Sequence, residues 1–216
     1  MKNIYNKKQT NEMKIIVFDT ETSGLPCIGK QTTIVQFSYV IYDCDTNEII
    51  KESDHIITQP VGFIIPNDSI NIHKITNEMC LQQGVDLMNI LNEFIKDTQD
   101  CYRVIGHNVQ FDIRMILMSL KEFVPHNPYE CKNINRKIKY VETKIIPKLY
   151  CTMMRGIDVC KLPKMRKTGE IMTSYKFPKL SELHVKLFGD CPNGLHNALV
   201  DVNVCLRCYI EMTTYM

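Results

Sequence analysis

The chain's 216 residues, 44% apolar and 23% charged, have the profile of a soluble globular protein with enough length for a substantial core. No run approaches the roughly 18 apolar residues of a membrane span, and the first thirteen residues lack the apolar centre of a secretory signal. This excludes membrane and secreted classes and points to an intracellular, cytoplasmic protein. At about 150 residues per domain, one domain is expected, residues 14–216, behind a polar tail at 1–13. The net charge of +2 hides an asymmetry: residues 131–180 hold thirteen Lys/Arg and three Asp/Glu, and the rest thirteen basic and twenty-one acidic residues. That is either a solvated surface segment or a basic lobe facing a polyanion beside an acidic, cation-holding site. The ten cysteines read as free thiols in a reducing compartment. Cys205 and Cys208, although spaced C-x-x-C, lie in a helical pattern that favours packing over zinc.

In chain order, Ile15 to Phe18 form an apolar run typical of a strand buried on both faces. Residues 33–43, rich in β-branched and aromatic side chains, form a second strand, and the turn chemistry of 43–48 returns 49–57 antiparallel to it. Residues 66–79 read as a loop with Thr76 and Asn77 as helix caps, followed by a helix over about 79–97. A short strand at 102–108 leaves through Gly106 into a helix from Val109 to Phe123. Residues 125–147 show weak periodicity and much charge, 148–152 a further strand, and 161–178 a basic loop. A short helix covers 179–189. From Asn197, the residues Ala198, Leu199, Val202, Cys205, Leu206 and Tyr209 mark one face of a long final helix. Strands first, then strands and helices in alternation, predict an α/β domain with a mixed central β-sheet flanked by α-helices. The basic stretch at about 131–178 is an insertion in it.

The anomalies are carboxylates in apolar places. Asp19 and Glu21, two apart at the end of the first strand, leave one face of it. Asp112 lies in the first turns of a helix entered through a Gly-His-Asn loop, and Asp201 falls within the apolar stripe of the last helix. Each alone has an ordinary reading: a surface turn, a helix-dipole carboxylate, a partner for Arg207. Together they offer a hard oxygen site for two divalent cations, Mg²⁺ or Mn²⁺, the arrangement that clamps the attacking and leaving oxygens of phosphoryl displacement. His196, five residues before Asp201, cannot share a helical face with it and belongs to the loop or first turn. A neutral imidazole there, with a pKa of about 6.5, suits a general base; the ordinary reading is a satisfied loop histidine.

The series "FDTETSGL", "GHNVQFD" and "HNALVD" resembles the three motifs of the DEDDh 3′–5′ exonucleases, which include proofreading exonucleases and RNase T within the RNase H-like fold. "INIHKIT" and "FPKLSELHVKLFG" resemble further segments of that family, and the pattern is most similar to stand-alone exonucleases of bacteria and large DNA viruses. The Ile-, Asn- and Lys-rich composition is compatible with a viral source. The resemblance implies metal coordination by Asp19, Glu21, Asp112 and Asp201, with Asp19 bridging two ions and Asp112 acting mostly through water. It implies His196 as base, Thr22 and Leu25 against the terminal nucleotide, and Asn108 and Phe111 shaping the site. Lys74 stands where the family often has Gly. Beyond the shared motifs, Lys164, Arg166 and Lys167 of the basic segment are candidate substrate contacts. The expected activity is hydrolysis of a terminal phosphodiester at the 3′ end of single-stranded or frayed nucleic acid, DNA ahead of RNA, giving 5′-mononucleotides in replication or repair. A polymerase or a second copy of the chain is a further candidate partner. The rival readings are a catalytically inactive nucleic-acid-binding module, an RNA-trimming enzyme, and a metal-binding thiol protein.

Overall fold

The computed structural model describes residues 13–27, 29, 31–123, 125, 127–166 and 168–214; the tail at 1–12 and Lys167 lie outside them. Strands β1 (Lys14–Thr22), β2 (Ile34–Asp43) and β3 (Glu48–Ile56) form an antiparallel meander. On the other side of β1, β4 (Cys101–Gly106) and β5 (Leu149–Cys151) run parallel to it, giving the order β3-β2-β1-β4-β5 and the expected mixed sheet.

The pleat of β1 sorts its apolar run between two layers. Ile16 and Phe18 face a large core with Phe37, Phe94 and Ile116, built with helices α3 (Leu87–Asp97) and α4 (Val109–Glu122). Ile15 and Val17 face the long final helix α8 (Ala198–Thr214) through Val202, Cys205, Leu206 and Tyr209. Covered on both faces, β2 is buried at all ten positions. None of the ten cysteines is in a disulfide, and Cys205 and Cys208 are buried packing residues of α8. Among the described residues no helix is long and apolar enough to cross a membrane.

Five segments depart from the sequence expectations. The supposed loop at 66–79 contains helix α1 (Asn67–His73), whose two turns are too short to display a period; Lys74 ends it in the left-handed region at φ 65°, a place that favours glycine. The single helix expected over 79–97 is two, α2 (Asn77–Gln83) and α3. Between them Gly84 passes so close to the Thr58 backbone that a Cβ would sit 2.7 Å from its nitrogen, and Val85 pairs with the end of β3 through bonds to Ile56 and Thr58. Thr76 does cap α2. Residues 125–147 hold helix α5 (Pro128–Tyr140), which runs through a π turn (Val141–Ile145) and a 3-10 turn (Ile146–Lys148). Its signal was present: Asn127 caps it, Pro128 occupies the first turn, and Glu130 closes the cap. Helix α6 (Thr152–Cys160) was not anticipated. The basic loop at 161–178 carries a separate two-stranded ribbon, β6 (Pro163–Met165) and β7 (Ile171–Tyr175), before α7 (Leu180–Phe188).

Candidate active site

Asp19 and Glu21 continue the row begun by Ile15 and Val17, so they project on the α8 side of the sheet just where its apolar covering ends. Asp201 stands in the first turn of α8, one position before the buried Val202. The two elements meet there: Glu21, His196 and Asp201 offer ligand atoms that all lie within 4.8 Å of one another. His196 reaches this point because it is not helical. Its backbone is left-handed, φ 69°, and its N–H donates to both carboxylate oxygens of Asp201 at 3.3 Å. Asn197 then starts α8 by accepting from Val200 N–H.

Asp112 approaches from the other layer. It is 3% exposed on α4, and its Oδ1 accepts from the backbone N–H of Thr20 at 3.2 Å and from the Thr20 hydroxyl at 2.7 Å. Thr20, between Asp19 and Glu21, thus ties α4 to the strand that carries the other two acids. Burial, and then the charges of Asp112, Asp201 and Glu21, hold the Asp19 carboxyl well above its ordinary range. Burial, then Asp201 and Asp112, raise Glu21 to about 7. Asp112 rises to about 7 by burial, against the opposing Thr20 bonds, and Asp201 to about 6, against the His196 N–H. Burial raises all four acids, neighbouring carboxylates add to it at Asp19 and Glu21, and no Lys or Arg forms a salt bridge with any of the four among the described residues. A donor set of carboxylate oxygens with one imidazole fits hard divalent cations.

Thr22 donates to Gly24 O at 3.0 Å, fixing the turn that lifts Leu25, 79% exposed, at the lip. Ser69 of α1 donates to Ser23 O and holds that helix under the same loop. Asn108, left-handed at φ 68°, opens α4, and the partly buried Phe111 packs against the core. Lys164 and Arg166 lie on the ribbon rather than in the cluster, Arg166 paired with Glu170 at 3.1 Å. Lys167 falls outside the described residues.

Sequence reasoning missed the supports of this site. Gln36, opposite Glu21 on β2, accepts from the N–H of Ala198 at 3.1 Å and donates to Asp54 at 2.8 Å. Ser38, opposite Asp19, donates to the same Asp54 oxygen at 2.6 Å. Gln36 therefore fastens the start of α8 to the sheet. Its signal was two polar residues, two apart, in an otherwise apolar strand. His107 is the second support: its ring bonds the Thr152 hydroxyl and the Pro178 carbonyl, both at 3.0 Å, and burial lowers its pKa to about 4.

The RNase T exonuclease family model matches residues 16–209. The chain belongs to that family. The mixed sheet and its flanking helices are accordingly the RNase H-like exonuclease fold, with the three DEDDh motifs on β1, α4 and the start of α8. Similar solved structures include Exonuclease I of E. coli in complex with a dT13 oligonucleotide (14% identity, TM-score 0.65, covering 94% of this chain and 41% of that one). Exonuclease I of Methylocaldum szegediense is comparable (15% identity, TM-score 0.64, 94% and 40% covered). The chain thus spans about two fifths of these Exonuclease I chains. No curated protein sequence matches it.

Proposed function

We propose that this exonuclease-family chain is a divalent-metal-dependent 3′–5′ exonuclease acting on single-stranded or frayed nucleic acid, DNA ahead of RNA, and releasing 5′-mononucleotides. The observation that carries the reading is the convergence of Glu21, His196 and Asp201 within 4.8 Å, beside Asp19 and Asp112. Two divalent cations, Mg²⁺ or Mn²⁺, held by Asp19, Glu21, Asp112 and Asp201, would stabilise charge developing on the phosphate and the leaving oxygen. His196, exposed at the mouth of the cluster, takes the proton of the attacking water, and its backbone bond to Asp201 sets where the ring stands. Thr20 keeps Asp112 from swinging away, and Leu25, exposed at the lip, packs against the terminal base. A nucleotide must leave its stack to reach the acids, which favours unpaired ends. The E. coli Exonuclease I neighbour, described with bound dT13 and dA16 oligonucleotides, supports an unpaired DNA strand as substrate.

The test is degradation of matched 5′-labelled and 3′-labelled DNA and RNA oligomers with Mg²⁺, Mn²⁺ or chelator. Stepwise shortening of the 5′-labelled DNA and immediate release of the 3′ label are expected, both abolished by chelator. Intact oligomers with every cation, or shortening from the 5′ end, would overturn the reading. Retained binding without cleavage would make the chain an inactive binding module.

A further inference from the structure

We propose that the β6–β7 ribbon is a second nucleic-acid contact, an arm whose apolar face stacks on the unpaired bases of the strand that feeds the carboxylate cluster. The strand's destination rests on the exonuclease reading; the contact itself does not.

The ribbon leaves uncovered what a folded protein normally buries. Met165 is 62% exposed, Ile171 73%, Tyr175 46% and the adjoining Phe177 55%. The register places Pro163 opposite Tyr175 and Met165 opposite Ile171. Directly opposed residues share a face, and Pro163 and Met165, two apart, leave the same side of β6. Two apolar cross-strand pairs, separated by a register irregularity, therefore line one face of a two-stranded sheet that joins no other strand among the described residues. An isolated ribbon of this kind is marginal in water, and a partner on its apolar face would stabilise it.

The surroundings say which partner. The ribbon lies in the stretch with thirteen Lys/Arg against three Asp/Glu. Two of its cations are internally engaged, Arg166 with Glu170 and Lys176 with Glu182 at 2.6 Å, whereas Lys161 and Lys164 are exposed and form no salt bridge among the described residues. With Lys164 on the opposite side of β6 and Lys161 just before the strand, an apolar face on a basic arm suits a polymer whose flat bases and phosphates lie side by side. Bases in a duplex hide their faces in the stack, so the arm selects an unpaired strand. The ribbon is also rooted at the site. Lys176 N–H closes its neck on Leu162 O at 3.0 Å, and Pro178 O accepts from the ring of His107, the residue before Asn108 at the opening of α4.

The test compares the wild-type chain with M165S/I171S/Y175S, Tyr175→Ala and Tyr175→Phe. Fluorescence anisotropy in chelator, where nothing is cleaved, uses a dT oligomer of about 20 nucleotides and a blunt duplex of the same length. The triple variant should bind the unpaired oligomer roughly tenfold more weakly, with less than about a twofold change on the duplex. Tyr175→Ala should fall between, and Tyr175→Phe, which keeps the ring, should bind as wild type. Cleavage of a dinucleotide, too short to reach the ribbon, should be unchanged in all three; this also reports that the variants fold. Equal affinity of the triple variant and wild type for the unpaired oligomer overturns the arm and leaves the face to a protein partner. Ribbon-dependent binding by a chain that leaves the oligomer intact with Mg²⁺ and with Mn²⁺ keeps the arm and removes the exonuclease reading.

Discussion

Asp19 and Glu21 end a strand whose preceding four residues, Ile15 to Phe18, are wholly buried, whereas Lys164 and Met165 stand on a ribbon exposed at nearly every position. In the first region the framework is rigid and charge is forced into it; the acids are raised by burial and by one another. In the second, the charges are solvated and the unfavourable exposure is apolar. Such opposite departures from ordinary folding economy suit different tasks. On the proposed reading the carboxylates would take cations and the ribbon a long, flexible ligand.

Several changes would break or sharpen this contrast. Asp19→Asn should lower turnover roughly 10³-fold while raising the melting temperature in chelator, because it removes a charge that its surroundings oppose. A lower melting temperature would show that the acids are not in electrostatic conflict. His196→Ala should reduce turnover about 10²-fold or more with Mn²⁺ affinity little changed. Since the ring lies within 4.8 Å of Glu21 and Asp201, a collapse of Mn²⁺ affinity would make it a ligand instead of a base.

Metal removal has a definite sign with pH. Glu21 and Asp112 titrate near 7 in the fold and Asp201 near 6, all above their unfolded values. The folded state therefore binds more protons than the unfolded state between about pH 4 and 7. In chelator, stability should fall as pH rises through that window, then level off. Saturating Mg²⁺ should reverse the loss, by about 2.7 kcal/mol at a hundredfold excess over its Kd. A melting temperature in chelator that climbs from pH 4 to 7 would contradict the burial of these acids.

Gln36→Leu should cost about 1–3 kcal/mol, because it strands the buried N–H of Ala198, and should also slow turnover by loosening the start of α8. Thermal melts with and without Mg²⁺ measure the first effect and steady-state rates the second; wild-type turnover would show that α8 needs no such fastening. The smallest effect belongs to the ribbon charges. Lys164→Ala with Arg166→Ala should leave stability within about 0.5 kcal/mol and reduce the slope of log affinity against log salt by about 1–2. An unchanged slope would make them merely solvated.

By itself the sequence determined the mixed sheet, the end helix and the identity of the candidate acids. These rest on local signals: an apolar run that stops at Asp19-Thr20-Glu21, a helix entered through a Gly-His-Asn loop, and a stripe interrupted by Asp201. It also placed His196 outside the helix, since five residues cannot share a face. What only the tertiary structure decided is how those pieces meet. The break at Gly84 comes from the nearby Thr58 backbone, far back in the chain. Thr20 holds Asp112 across 92 residues, and Gln36 holds Ala198 across 162. The ribbon's apolar face is set by a cross-strand register that no helical or strand period in the 161–178 stretch announces. Local periodicity records which way a side chain leaves its own element. It carries no information on which element lies opposite, and the closeness of these acids depends on that.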